Sequence, residues 1–168
     1  MVMTKAELVA SLQLEVHILL HLAGKIDRKQ LDYRPTPKQR STLELLRYLS
    51  MMGPTIIQYA VTNSTDGAIW TTAEAAANAR DFDQTLTAIA AQKDAYASAI
   101  GGMSDADFRG EVMSFDGSKT SRGAFIVSLV LGGCVAYRTQ LFLYLKACGH
   151  DELGTTNLWA GTDAPAAT

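Results

Sequence analysis

The sequence is poor in cysteine and histidine and has no strong excess of one charge. Its 168 residues contain two cysteines and three histidines. On one straight helix Cys134 and Cys148 would lie ~21 Å apart, which excludes a disulfide between them. Fifteen Lys+Arg against seventeen Asp+Glu argue against a nucleic-acid binder, which needs a basic face. The 48% hydrophobic content excludes a disordered chain and fits one folded domain.

Several motifs that would indicate a function or a location are missing as well. The sequence has no phosphate-binding loop, no Gly-x-Gly-x-x-Gly, no Gly-x-Ser-x-Gly and no Cys-x-x-Cys. Glu15 and His17 interrupt the first apolar stretch, which therefore does not resemble a signal peptide. The uncharged run between Arg122 and Arg138 is shorter than the ~20 residues of a membrane-spanning helix. We therefore expect a reduced, cytoplasmic protein that binds neither membrane nor nucleic acid.

Helix-start signals indicate the architecture. Capping boxes at Thr4, Ser41 and Thr71, a shorter acidic variant at Ser104, and Thr120 or Ser121 mark helix starts. The apolar periodicity then predicts long helices at 6–26, 42–61, 73–100 and 122–148. The fold class is all-α, a four-helix bundle with a short extended segment before the last helix, at 111–115.

Other signals refine this prediction. Pro54 is expected to bend the second helix or to split it after Met52. The last helix is apolar on nearly all sides, so we expect it to be the most buried and a homodimer to cover part of its surface. Residues 1–150 form the bundle domain. A C-terminal extension, 151–168, is expected to pack on the bundle with Trp159 as its anchor and with a frayed tail from Ala164.

Three segments together resemble a known family. They are Ser41-Thr-Leu-Glu-Leu-Leu-Arg-Tyr-Leu49, Ser121-Arg-Gly-Ala-Phe-Ile, and the helix end Tyr137-Arg-Thr-Gln through Gly149. In this order and spacing the chain resembles the DinB-like (YfiT-like) four-helix bundles, from about residue 4 to 149. The resemblance implies the bundle fold and the place of a cavity within it.

The resemblance fails at the metal site. The family commonly uses three histidines, at positions matched here by Tyr48, Gly133 and Tyr137. Glycine has no side chain to donate, and tyrosine replaces a neutral imidazole poorly at a divalent metal. The resemblance therefore does not carry over the metal, nor the thiol transfer or hydrolysis that depends on it in relatives.

The matched positions allow two interpretations each. Tyr48 and Tyr137 would donate hydrogen bonds to a ligand or fill the space of the metal. Gly133 would leave a cavity or allow close helix packing. Glu15 lies within the apolar stripe of the first helix, where it would pair with these tyrosines in a polar pocket or reach solvent at the stripe edge.

The remaining candidates have weaker support. His17 and His21 are four residues apart and could form half of a metal site, but further ligands are missing, which favours surface or interface histidines. Cys134 has no adjacent base and is predicted to be inert. Arg138 and Gln140 would bind an anion or tie the last helix to a neighbouring loop, and we favour the second.

Two functions of different classes follow. The first is a non-catalytic bundle without cofactor that binds a small molecule or a partner around Glu15, Tyr48, Gly133 and Tyr137. The second is a metal-dependent thiol transferase or hydrolase whose displaced zinc or nickel site uses His17, His21 or Glu15. A structural or stress-linked dimer without ligand is a third alternative. Because no histidine stands at the family's positions, the sequence favours the first.

Overall fold

Four long helical stretches form the molecule, as predicted. The computed structural model describes residues 3–165. Along the chain the elements are α1 (Lys5–Ala23), a 3-10 turn (Arg28–Gln30), α2 (Thr42–Thr62), α3 (Gly67–Asn78), α4 (Phe82–Gly101), α5 (Asp105–Arg109), β1 (Glu111–Met113), β2 (Lys119–Ser121), α6 (Arg122–Ile126), a π-helical turn (Val127–Leu131), α7 (Gly132–Ala147) and α8 (Thr155–Ala160). We call α6, the π-helical turn and α7 together the last helix. The bundle consists of α1, α2, α4 and the last helix, with α1 and α2 both packed on α4.

Side-chain caps begin the helices. The Thr4 hydroxyl accepts a hydrogen bond from the Glu7 backbone N–H, and the Glu7 carboxylate accepts one from the Thr4 N–H. Ser41 and Glu44 repeat the arrangement at α2. Each pair satisfies backbone N–H groups that a helix end leaves free. The confirmed caps are Thr4, Ser41, Ser104 and Ser121.

The prediction of one helix over 73–100 was wrong, because α3 and α4 are separate. Asp81 caps α4 and forms a capping box with Gln84. The box starts a new helix although the alanine-rich sequence around it has high helix propensity throughout. The start predicted at Thr71 was wrong too, because α3 begins earlier, with Asp66 as its N-cap.

The most buried helix is α2, not the last helix as predicted. Its buried residues include both the apolar stripe and the polar Ser50 and Thr55. It runs without a break through Pro54, so the predicted split after Met52 does not occur. The packing of α2 on both sides stabilises it by more than is lost with the one backbone hydrogen bond that a proline removes from a helix.

The last helix has an apolar face that points away from the core. Leu143 is 58% exposed, and Leu131, Val135 and Phe142 are partly exposed. The π-helical turn adds a residue to one turn and so shifts the faces of α7 relative to α6. Our homodimer prediction concerns this outward face.

Two helices are long and apolar enough to cross a membrane by length and composition, Lys5–Ala23 and Arg122–Ala147. Both contribute buried residues to the bundle core. Core helices of globular bundles pass the same criterion, so this is weak evidence for a membrane location.

The extended segment and the C-terminal extension both have defined structure. The extended segment predicted at 111–115 is confirmed for Glu111–Met113, whereas Phe115 belongs to the turn. β1 pairs antiparallel with β2 around this turn, in which Gly117 has φ +80°. Helix α8 packs on α1 and α7. Its predicted anchor was wrong, since Trp159 is 64% exposed, whereas Leu153 and Asn157 are buried. The predicted frayed tail falls mostly outside the described residues, which end at Pro165.

Candidate functional site

A cleft of about 310 Å³ opens where the loop before α2 meets α2 and α3. This volume lies at the lower end of the ~300–1,000 Å³ typical of small-molecule sites. We call it the Tyr48 cleft. Its lining residues are Arg34, Lys38, Gln39, Arg40, Glu44, Tyr48, Met51, Glu74, Ala77 and Asn78.

Tyr48 is the aromatic wall of the cleft. Its ring centre lies 4.9 Å from that of Tyr137, edge to face, and 6.0 Å from that of Trp70. The Arg40 guanidinium carbon lies 4.0 Å from the Tyr48 ring centre. Burial, followed by the neighbouring Tyr137 hydroxyl, raises the pKa of Tyr48 to about 12. Tyr48 is therefore a neutral phenol at physiological pH.

A partly buried hydrogen-bond chain fixes the backbone of the loop that carries Arg40. The Tyr144 hydroxyl donates to the Arg40 carbonyl at 2.9 Å, and Gln140 Nε2 donates to that hydroxyl at 2.5 Å. The Tyr144 ring also packs edge to face on Tyr33, with 5.6 Å between centres. Gln140 thus has the structural role that we favoured, and it places Arg40 at the cleft.

Charges in the cleft are only partly paired. Arg34 Nη2 lies 3.2 Å from Glu44 Oε2, which also accepts the Ser41 backbone N–H at 2.6 Å. These interactions, the Ser41 backbone first, lower the pKa of Glu44. Among residues 3–165, no carboxylate pairs with Lys38 or Arg40. Two cationic groups therefore remain available on this side of the cleft.

The residues that the resemblance matches to the family's metal ligands, Tyr48, Gly133 and Tyr137, do not fit a metal. A Cβ on Gly133 would lie 2.9 Å from Met52 Sδ, so the methionine occupies the space in front of the glycine. Met52 is only 2% exposed. Tyr48 and Tyr137 contact each other across the remaining space. Met52 therefore fills the space at Gly133, whereas the space beside Tyr48 is open.

Glu15 does not belong to the Tyr48 cleft. Its Oε2 lies 2.9 Å from Arg138 Nε, without the alignment of a hydrogen bond, and both side chains are buried. Burial raises the pKa of Glu15, and Arg138 opposes this shift. The predicted pairing with the tyrosines was wrong, as was the alternative of a solvent-reaching carboxylate. A guanidinium neutralises a buried carboxylate, which a phenol cannot do.

Arg138 joins three parts of the molecule. Besides Glu15 on α1, it donates from Nη1 to the Leu158 carbonyl of α8, and its guanidinium carbon lies 5.6 Å from the Trp159 ring centre. The structural role that we favoured for Arg138 is therefore observed, with the C-terminal extension as the segment it holds.

Cys134 is buried beside the ion pair. Its neighbours include Tyr96, whose hydroxyl donates to Gln92 Oε1 at 2.9 Å. Burial raises the pKa of Cys134 to about 12, with Glu15 contributing in the same direction. The thiol is therefore protonated and inert at neutral pH, as predicted.

The two histidines of α1 face the C-terminal extension. His17 is exposed and contacts Gly161, whose φ of +65° suits glycine. The Asn157 side-chain N–H donates to His21 Nε2 at 3.0 Å and to Asp163 at 3.0 Å. Among residues 3–165, no group of three His, Cys, Asp or Glu could hold a metal ion. His17, His21 and Glu15 therefore do not form one metal site, because Glu15 is paired with Arg138.

His21 gives the stability of this contact a pH dependence. Burial lowers the pKa of His21, with Asp163 opposing this shift and Lys25 and His17 adding to it. Its neutral nitrogen accepts the Asn157 hydrogen bond, which the protonated ring cannot do.

The folded state therefore binds fewer protons at His21 than the unfolded chain, whose histidine titrates near the ordinary value of 6.5. This contribution is fully present above pH 6.5 and is lost as the pH falls toward the lowered value. Urea unfolding at pH 7.5 and pH 5.0 measures how much of the free energy of unfolding is lost as the pH falls. This loss should be larger for the wild type than for His21→Gln. Equal losses would contradict the assignment.

Comparison with solved structures identifies the architecture. The crystal structure of a DinB-like protein, YjoA from Bacillus subtilis, superimposes with a TM-score of 0.70. The match covers 88% of this chain and 95% of that chain, at 16% sequence identity. The chain has the DinB-like fold. No family model matches the sequence, and no curated protein does either.

This similarity establishes the fold only. The function has to be inferred from the residues of this chain. A DinB-like fold with Tyr48, Gly133 and Tyr137 at the matched positions has the scaffold without the imidazoles. Of the four predicted cavity residues, only Tyr48 lines the cleft, and Tyr137 contacts it. Sequence reasoning missed Lys38 and Arg40, because a loop before a helix cap has no periodicity that places its side chains.

Proposed function

We propose that this DinB-like bundle binds a small organic molecule in the Tyr48 cleft, without metal and without catalysis. The observation that carries the proposal is the position of Tyr48. Tyr48, which the resemblance matches to a metal ligand of the family, forms the wall of a 310 Å³ cleft beside Arg40, a cation that pairs with no carboxylate among residues 3–165. An aromatic wall with polar and charged groups directed at the same space is a feature of small-molecule sites.

The composition of the cleft supports binding rather than reaction. Its apolar contacts come from Tyr48, Met51 and Ala77, and four of its five charged side chains are exposed, namely Arg34, Lys38, Arg40 and Glu74. The Tyr48 phenol is too weak an acid to act as a base or nucleophile near neutral pH. Cys134, the nearest buried thiol, does not line the cleft and is protonated.

A blocking variant tests this proposal. Asn78→Trp adds a large ring to the cleft lining without removing any core side chain. A library of small organic fragments, screened by ligand-observed NMR in the presence of a chelator, should give binders of the wild type that the variant loses. Ala75→Trp adds the same ring to an exposed α3 residue outside the cleft and should keep them. Binders that survive Asn78→Trp, or no binders at all, would refute the proposal.

A further inference from the structure

We infer that the ligand of the Tyr48 cleft carries an anionic group, a carboxylate or a phosphate, which Arg40 and Lys38 bind. This inference rests on the proposed function and adds the chemical class of the ligand.

The charge balance of the cleft favours an anion. Three cationic side chains, Arg34, Lys38 and Arg40, line it together with two acidic ones. Glu44 is already held by Arg34 and by the Ser41 backbone N–H. This leaves Glu74, an exposed residue of α3, as the only acidic cleft residue not used within the Arg34–Glu44 pair. The cleft therefore has a net positive charge.

Arg40 is positioned to bind the anion. Its guanidinium stacks on Tyr48, an attraction between a cation and the ring face that leaves its N–H groups free to donate in their own plane. Its backbone is fixed by Tyr144. A guanidinium held in this way can form two parallel hydrogen bonds to a carboxylate or phosphate with little loss of side-chain freedom.

The apolar part of the cleft selects what the anionic group is attached to. Tyr48 and Met51 present a ring face and a thioether beside the cations. Because the phenol stays neutral, it does not repel an anion placed against it. A small molecule with a planar or apolar body and one acidic group fits both parts.

Three probes of similar shape separate charge from shape. Benzoate, phenyl phosphate and the neutral benzamide are titrated into ¹⁵N-labelled protein, and affinity is read from the amide shifts of residues 34–48 and 74–78. We expect either anion to bind at least about tenfold more tightly than benzamide, as one charge-assisted hydrogen-bond pair implies. The tighter of the two anions identifies a carboxylate or a phosphate as the preferred group.

Variants assign the effect to the cleft. Arg40→Gln should weaken anion binding about tenfold or more and should affect benzamide binding much less. Glu74→Gln should strengthen anion binding. Arg28→Gln is the matched control, since Arg28 also lies over an aromatic ring, Phe82 at 5.2 Å, but outside the cleft.

The outcomes separate this inference from the proposed function. Benzamide binding as tightly as both anions, or anion binding that is unaffected by Arg40→Gln, would overturn the anionic class and leave a cleft for neutral ligands. No response to any of the three probes would also overturn it, and the fragment screen with Asn78→Trp would then decide on the cleft by itself.

Discussion

Replacing Arg138 with methionine is expected to lower the free energy of unfolding by about 3–5 kcal/mol. The substitution leaves the buried Glu15 carboxylate without its cation and removes the hydrogen bond to the Leu158 carbonyl. A loss of this size is a large part of the ~5–15 kcal/mol that stabilises a typical domain. Urea unfolding at pH 7.5, followed by circular dichroism, measures it.

Two further measurements identify the cause. In Arg138→Met no cation lowers the pKa of Glu15, so the pKa is raised further by burial alone. The folded state then binds more protons than the unfolded chain above pH 4.5, so the destabilisation should shrink as the pH falls toward that value. The double variant Glu15→Leu/Arg138→Met should recover most of the loss, because two apolar side chains replace an ion pair. A double variant as unstable as Arg138→Met would contradict the role of the pair.

Gly53→Ala is expected to destabilise the bundle by about 1–3 kcal/mol, or more, through overpacking. A Cβ at this position would lie 2.0 Å from Tyr96 Oη and 3.1 Å from its Cζ. Tyr96 is 1% exposed, and its hydroxyl donates to Gln92, so moving the ring aside would disturb buried packing and this hydrogen bond. The free-energy cost of this clash exceeds the ~1 kcal/mol by which alanine normally stabilises a helix relative to glycine.

A double-mutant cycle with Tyr96→Phe tests this explanation. Removing the hydroxyl removes the 2.0 Å contact and leaves the one at 3.1 Å, so Gly53→Ala should cost less in the Tyr96→Phe background. Gly101→Ala is the matched control, because no atom lies within 4 Å of a Cβ there. It should be neutral or stabilising. Equal costs of Gly53→Ala in both backgrounds would show that the hydroxyl contact is not responsible.

Local signals in the sequence predicted most of the helix starts, because caps act within a few residues. Thr4 with Glu7 and Ser41 with Glu44 form the predicted boxes. The break between α3 and α4 also had such a signal, the spacing of Asp81 and Gln84. It was obscured by the alanine-rich propensity on both sides.

The contacts between distant segments could not be predicted in the same way. Glu15 and Arg138 are far apart in the sequence, and their pairing depends on how α7 is rotated against α1. The π-helical turn at Val127–Leu131 changes that rotation, and nothing in the apolar pattern indicates it. The wheel of the first helix placed Glu15 within the apolar stripe, but it could not give Arg138 as the partner, so pairing with the tyrosines and exposure to solvent were the two alternatives.

The candidate site was predicted only in part, because it too depends on contacts between distant segments. The resemblance placed Tyr48, Gly133 and Tyr137 near one another, and the structure brings the two tyrosines into contact. It did not place Met52, which fills the space at Gly133, or Arg40, which reaches Tyr48 from a loop. Side chains that fill a vacated site come from the surrounding packing, which a family pattern does not specify.

The central claim is that this DinB-like bundle functions without a metal. The most direct test is the metal content of untagged protein, purified without added metal and measured by inductively coupled plasma mass spectrometry. Our account predicts zinc and nickel far below stoichiometric amounts. Stoichiometric zinc or nickel that is lost in His17→Ala or His21→Ala would contradict the account and favour a metalloenzyme with a displaced site.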